Sequence, residues 1–105
     1  MKAFASFRFL NLSENQTKEL SALIPDVEFG EHYKTKENVG CIILDNSKYI
    51  EQIGVFAKQH SFKPTECDIF VSIASENRGE VWRAPRVVNK MLKIFDCPIV
   101  FSYTC

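Results

Sequence analysis

No glycine-rich phosphate loop, no closely spaced pair of metal-ligand residues and no nucleophile on a glycine-flanked turn occurs in this chain. Each of those patterns sets chemistry at a spacing that packing alone does not require. Without them, catalysis and cofactor binding have no local signature here, and neither a cofactor nor a metal is expected. Charge of one sign is missing too: thirteen basic and thirteen acidic residues give zero formal charge. The long-range attraction that a nucleic-acid or membrane-surface binder relies on is therefore absent, and neither partner is expected. No run approaches the roughly 18 apolar residues of a membrane span. Met1 to Arg8 lacks the apolar core of a secretory signal. The four cysteines, Cys41, Cys67, Cys97 and Cys105, include no C-x-x-C pair, so zinc-finger spacing is excluded. Each lies in or beside an expected strand, where a free thiol behaves as a small apolar residue. Reduced thiols and no leader predict a cytoplasmic protein, with Cys105 the most exposed thiol.

What is present is a succession of buried faces. At 105 residues the chain is expected to form one domain, residues 1–105, able to fold without staples. Lys2 to Leu10 alternates, with Ala3, Ala5, Phe7 and Phe9 on one side, while Phe4 and Leu10 interrupt the polar side; a strand partly covered on both faces follows. Ser13 with Gln16 forms a capping box for a short helix carrying Leu20, Leu23 and Ile24, which Pro25 ends. Val27, Phe29 and Tyr33 predict a second strand. Val39 to Leu44 is continuously apolar and predicts a central strand buried on both faces. Asp45, Asn46 and Ser47 offer N-caps to a helix with Tyr49, Ile50, Ile53, Phe56 and Ala57 on its buried side, and Pro64 bars its continuation.

Cys67 to Ala74 alternates as a fourth strand. Asn77-Arg78-Gly79 supplies turn chemistry towards a short strand from Glu80 to Arg83, predicting a hairpin. Pro85 opens a last helix with Val87, Val88, Met91, Leu92 and Phe95 facing inward, and Pro98 to Thr104 closes the chain as a strand. The order β-α-β-β-α-β-β-α-β predicts an α/β (α+β) domain: a mixed sheet with about three helices, a ferredoxin-like sandwich with an added β-α-β unit.

The candidate functional residues all have structural alternatives. Asp26, Glu28 and Glu31 concentrate negative charge on one strand, as a protein that covers a basic groove requires; charge on an edge strand also prevents sheet-to-sheet association. Trp82, between Val81 and Arg83 and beside a turn containing Glu76 and Arg78, belongs to a residue type that dominates interface energies, or else packs under the last helix. Arg86, Lys90 and Lys93 form a basic stripe that suits an acidic partner or an ordinary solvated helix face. His60 continues a buried stripe as a helix-end residue, and His32 neighbours Asp26 and Glu28 in sequence only.

The run Gly79-Glu80-Val81-Trp82-Arg83-Ala84-Pro85-Arg86-Val87-Val88-Asn89-Lys90-Met91-Leu92, leading into Phe101-Ser102-Tyr103-Thr104, resembles the small cytoplasmic immunity proteins encoded beside bacterial contact-dependent and other polymorphic toxins. The resemblance is one of size, balanced charge and α/β organisation over the whole chain, and carries over no functional residue. It implies a non-catalytic inhibitor that binds a toxin catalytic domain, for example a nuclease, and covers its active site. Asp26, Glu28 and Glu31, or else Glu76 and Trp82, are the contact residues expected on that reading. A small-molecule-binding or regulatory module on the same fold, often a homodimer through its sheet edge, and a cysteine enzyme are the competing expectations.

Overall fold

The structure, a computed structural model, describes residues 2–32, 34–75, 79 and 81–104. The chain runs β1 (Lys2–Phe9), α1 (Glu14–Leu23), β2 (Glu28–Glu31), β3 (Asn38–Ile43), α2 (Ile50–Gln59), a single 3-10 turn (Pro64–Glu66), β4 (Cys67–Ala74), α3 (Arg86–Ile94) and β5 (Ile99–Thr104). All five strands share one sheet in the order β2-β3-β1-β4-β5. The first four pair antiparallel, as in a ferredoxin-like sandwich, and β5 is appended parallel to β4. The expected α+β domain with three helices and a mixed sheet is therefore present.

One element of the expected order is not. Val81, Trp82 and Arg83 form no strand; Glu76, Asn77, Arg78 and Glu80, where the turn and hairpin were expected to begin, lie outside the described residues. The place beside β4 is taken by the six-residue β5, which β4 reaches in parallel register through α3. A parallel neighbour requires a long crossover, and α3 is that crossover.

Local sequence explains the other boundaries. Ser13 Oγ accepts from the Gln16 N–H while Gln16 Oε1 accepts from the Ser13 N–H, so α1 starts on the expected capping box. For α2 the N-cap is Tyr49, without a side-chain cap. Asn46 Oδ1 instead accepts from the Lys48 N–H, so the Asp45–Ser47 run shapes the turn before the helix rather than capping it. At its far end α2 leaves through a Schellman motif: Ser61 N–H donates to Lys58 O, Phe62 N–H donates to Ala57 O, and Ser61 holds a φ of 53°.

The core lies between the helices and one face of the sheet. Phe9 stands edge-on to Phe7 (5.0 Å) and Phe56 (5.1 Å) and meets Phe62 at 4.9 Å, joining β1 to α2 and to the chain that leaves it. Each such pair adds about 0.5–1.5 kcal/mol beyond area burial. Gly40 lets α1 sit close to β3, because a Cβ there would stand 2.9 Å from Leu12 and 3.1 Å from Leu20. Val39, Gly40, Ile42 and Leu44 are buried, but Ile43 is exposed and Cys41 half-buried. The expectation that β3 is covered on both faces fails: the apolar run serves a covered face and a helix-free one.

Candidate binding surface

Alternation decides which side chains reach the helix-free face of the sheet. Ala5, Phe7 and Phe9 point into the core, so Phe4, Ser6 and Arg8 stand on the opposite side. Register then assembles two rows across the sheet. The first joins Glu28 (β2), Cys41 (β3), Arg8 (β1) and Asp68 (β4); the second joins Ile43, Ser6, Phe70 and Val100. Phe4, two residues from Ser6 on the same face, stands beside Ser72.

One end of this face, where β1 finishes and β4 begins, is polar and locked. Arg8 Nε donates to Asp68 Oδ1 at 2.7 Å and Nη2 donates to Oδ2 at 2.6 Å, while the guanidinium lies 4.3 Å from the centroid of the Phe70 ring. The Asp68 side chain is only 5% exposed and Arg8 20%, so the carboxylate depends on this bidentate partner. The hydrogen bonds to Asp68 raise the Arg8 pKa further above its ordinary value, outweighing burial, which acts to lower it. Beside the pair, burial pushes the Cys41 thiol up, although the charge of Arg8 pulls it down. Further along the strands the surface is apolar and open: Phe4 is 49% exposed, Ile43 42% and Val100 38%. Together with Phe70 they form an apolar patch that the fixed charged pair borders on one side, with an exposed carboxylate, Glu28, at the end of the polar row.

Of the candidate residues, Glu28 joins this face directly. Glu31 is exposed on the same edge strand, but it pairs with Asn38 and by alternation belongs to the helix side, so the two glutamates do not make one patch. Asp26 is exposed and engaged from α2's side: the Tyr49 hydroxyl donates to its Oδ2 at 2.6 Å and Lys48 Nζ lies 3.7 Å away. Trp82 is partly buried and packs against the core, as the packing alternative expects. Glu76 lies outside the described residues.

The remaining polar candidates have structural partners. His60 closes α2, its ring 4.5 Å from that of Phe56 and its Nε2 2.6 Å from Glu19 Oε2, so it ties the end of α2 to α1. His32 Nδ1 accepts from the Lys34 N–H and shapes the β2–β3 turn. Arg86, Lys90 and Lys93 are exposed along α3, opposite its buried Val87, Val88 and Met91. Cys41, Cys67 and Cys97 are free thiols. Burial raises Cys67 strongly and holds Cys97 up at about 11, with nearby carboxylates adding to both, so both thiols are neutral at neutral pH. Cys105 lies outside the described residues. Among the described residues no three His, Cys, Asp or Glu side chains gather into a cation site.

An open apolar groove of about 910 Å³ runs between α2 and α3, lined by Ile50, Gly54, Val55, Phe62, Ile94 and Phe95, with Glu51 and Lys58 among its polar groups. Neither this groove nor the apolar patch beside Arg8 was singled out from the sequence. A signal for the patch existed: Phe4, Ile43 and Phe70 are apolar at positions that alternation assigns to the side away from the helices. No family model matches this chain, and comparison with curated proteins and with solved structures yields no match.

Proposed function

We propose that this chain is a non-catalytic protein-binding inhibitor, an immunity protein that neutralises a cognate bacterial toxin in the cytoplasm by covering its active site. The observation that carries the reading is the helix-free sheet face: Phe4, Ile43 and Val100 exposed in one patch, with the Arg8–Asp68 pair and Glu28 in the polar row at its margin. An apolar centre with a charged margin is the anatomy of a protein interface. A carboxylate at that margin suits a basic partner surface such as a nuclease groove, where complementary charge speeds encounter and fixes register. The resemblance in size, charge balance and organisation supplies the class of partner.

Growth rescue tests this directly. The C-terminal domain of the protein encoded immediately upstream is expressed in a bacterial host with and without this chain, and viable cells are counted. Arrest relieved only by co-expression supports the reading; a harmless neighbour, or toxicity that the chain does not relieve, overturns it. With the partner in hand, reversing charge at Glu28 and Glu31 together is expected to weaken binding about tenfold and slow association, leaving the melting temperature within a few degrees; unchanged affinity removes the acidic strand from the account.

The groove between α2 and α3 favours a second reading, a module that binds an apolar small molecule. It is open and mostly apolar rather than enclosed around convergent polar groups, which suits ligand selection less well. Thermal-shift screening of the purified domain separates the two readings.

A further inference from the structure

The two edges of the sheet are built differently. Self-pairing of β2 about a two-fold axis would set Glu28 opposite Glu31 of the second copy, and like charges directly opposite oppose pairing. The other edge, β5, reads Ile-Val-Phe-Ser-Tyr-Thr, with no charge and no proline within the strand. Among the described residues no strand pairs with its outer side. Charges, prolines and bulges are the usual guards of an exposed edge, and β5 has none of them while exposing Ile99, Val100 and Phe101.

The direction of the backbone is fixed by the inner ladder. Ile69 N–H donates to Pro98 O and Ser75 N–H to Thr104 O, so the even-numbered residues of β5 turn their peptide groups towards β4. By alternation Ile99 and Phe101 turn theirs outward. An antiparallel pairing centred on Val100 would set Ile99 opposite Phe101 of a second copy and exchange four backbone hydrogen bonds. The two Val100 side chains would meet on the helix-free face, and Tyr103 would take no part. The net charge of zero leaves no long-range repulsion between copies.

We propose that this chain forms a two-fold dimer by antiparallel pairing of β5 with β5 of a second copy, centred on Val100, giving one continuous ten-stranded sheet. The row Ile43–Ser6–Phe70–Val100 then runs unbroken across the axis, doubling the helix-free face. So short a pairing would bury less than the roughly 1,600 Å² of a standard interface, so the dimer is expected to be weak and concentration-dependent.

Sedimentation across micromolar to millimolar concentration tests it. The wild-type chain shifts from 12.1 kDa towards twice that mass. Val100→Lys and Val100→Glu each stay monomeric where the wild type is dimeric, and mixing them in equal amounts restores the dimer, since opposite charges then face each other at the axis. Amide exchange of the wild-type chain supplies a readout without a variant: Ile99 and Phe101 gain protection as concentration rises. A wild-type chain monomeric to about 1 mM, a Val100→Lys variant that dimerises like the wild type, folded variants that fail to pair when mixed, or Ile99 and Phe101 amides indifferent to concentration would each overturn the proposal.

Discussion

Asp68 sits within the sheet with almost no contact with water, and Arg8 on the neighbouring strand supplies both hydrogen bonds across its carboxylate. A buried pair of this kind is costly to break from one side only, because the partner left behind keeps its charge without compensation. Arg8→Met is therefore expected to destabilise the fold by about 2–4 kcal/mol, and the double variant Arg8→Met with Asp68→Leu by distinctly less. Denaturant titration of the three proteins checks this; a double variant less stable than Arg8→Met contradicts the role given to the pair. The core thiols act at the same scale. A native pKa above the unfolded value means that the native state holds its proton when the unfolded chain releases it, so stability falls as pH rises through that interval. For Cys97 the interval runs from about 9 to about 11, and Cys67 adds to the slope in the same direction. Melting temperature should thus decline above about pH 9, and replacing both thiols with alanine should flatten the decline. A wild-type curve level from pH 8 to 11 contradicts it.

Among the elements, α2 shows best how short-range chemistry sets a boundary. Its Schellman exit puts Ser61, a residue with a Cβ, in the left-handed region at φ 53°, and Phe62 then stacks near Phe56 with centroids 5.9 Å apart. Glycine fits that conformation without steric cost. Ser61→Gly should raise stability by about 0.5–1 kcal/mol, net of the extra freedom it gives the unfolded chain; thermal unfolding measures it, and a loss of stability would show that Ser61 has a role beyond the turn. Helices of this sort were legible because their signals are local: Ser13 with Gln16, the spacing from Ile50 to Ala57, Pro64 beyond the end. The same local signals misled at Asp45–Ser47, where three good capping residues precede a helix whose N-cap is Tyr49, and at Val81–Arg83, where strand-forming residues follow turn residues. Which segment lies beside β4 is a contest between distant parts of the chain, and the longer β5 occupies that position. The helix-free face was less legible still. Arg8 and Asp68 are sixty positions apart, and only the register of β1 against β4 brings them together. Phe4, Ile43 and Phe70 are visible in sequence as apolar residues on strand faces turned away from the core, but each alone resembles ordinary scatter.

For the whole molecule, the sheet separates two environments. Helices cover one face and its aromatic core; the other is left open, an apolar patch bordered by a rigid charged pair, with an acidic edge at β2 and an uncharged one at β5. On the proposed reading, that asymmetry gives a toxin domain the helix-free face and a second copy the β5 edge. Affinity for the toxin domain identified by growth rescue, measured by calorimetry on two double variants, tests the central claim most directly. Phe4→Lys with Ile43→Lys places charge on the helix-free face, and Val55→Lys with Ile94→Lys places it in the groove between α2 and α3, all four at exposed positions. If the helix-free face is the interface, the first pair weakens binding at least about 100-fold, the loss expected when central interface residues contribute about 2 kcal/mol or more, and the second changes it less than about threefold. The reverse pattern, with both proteins folded, would place the partner on the helices and contradict the account.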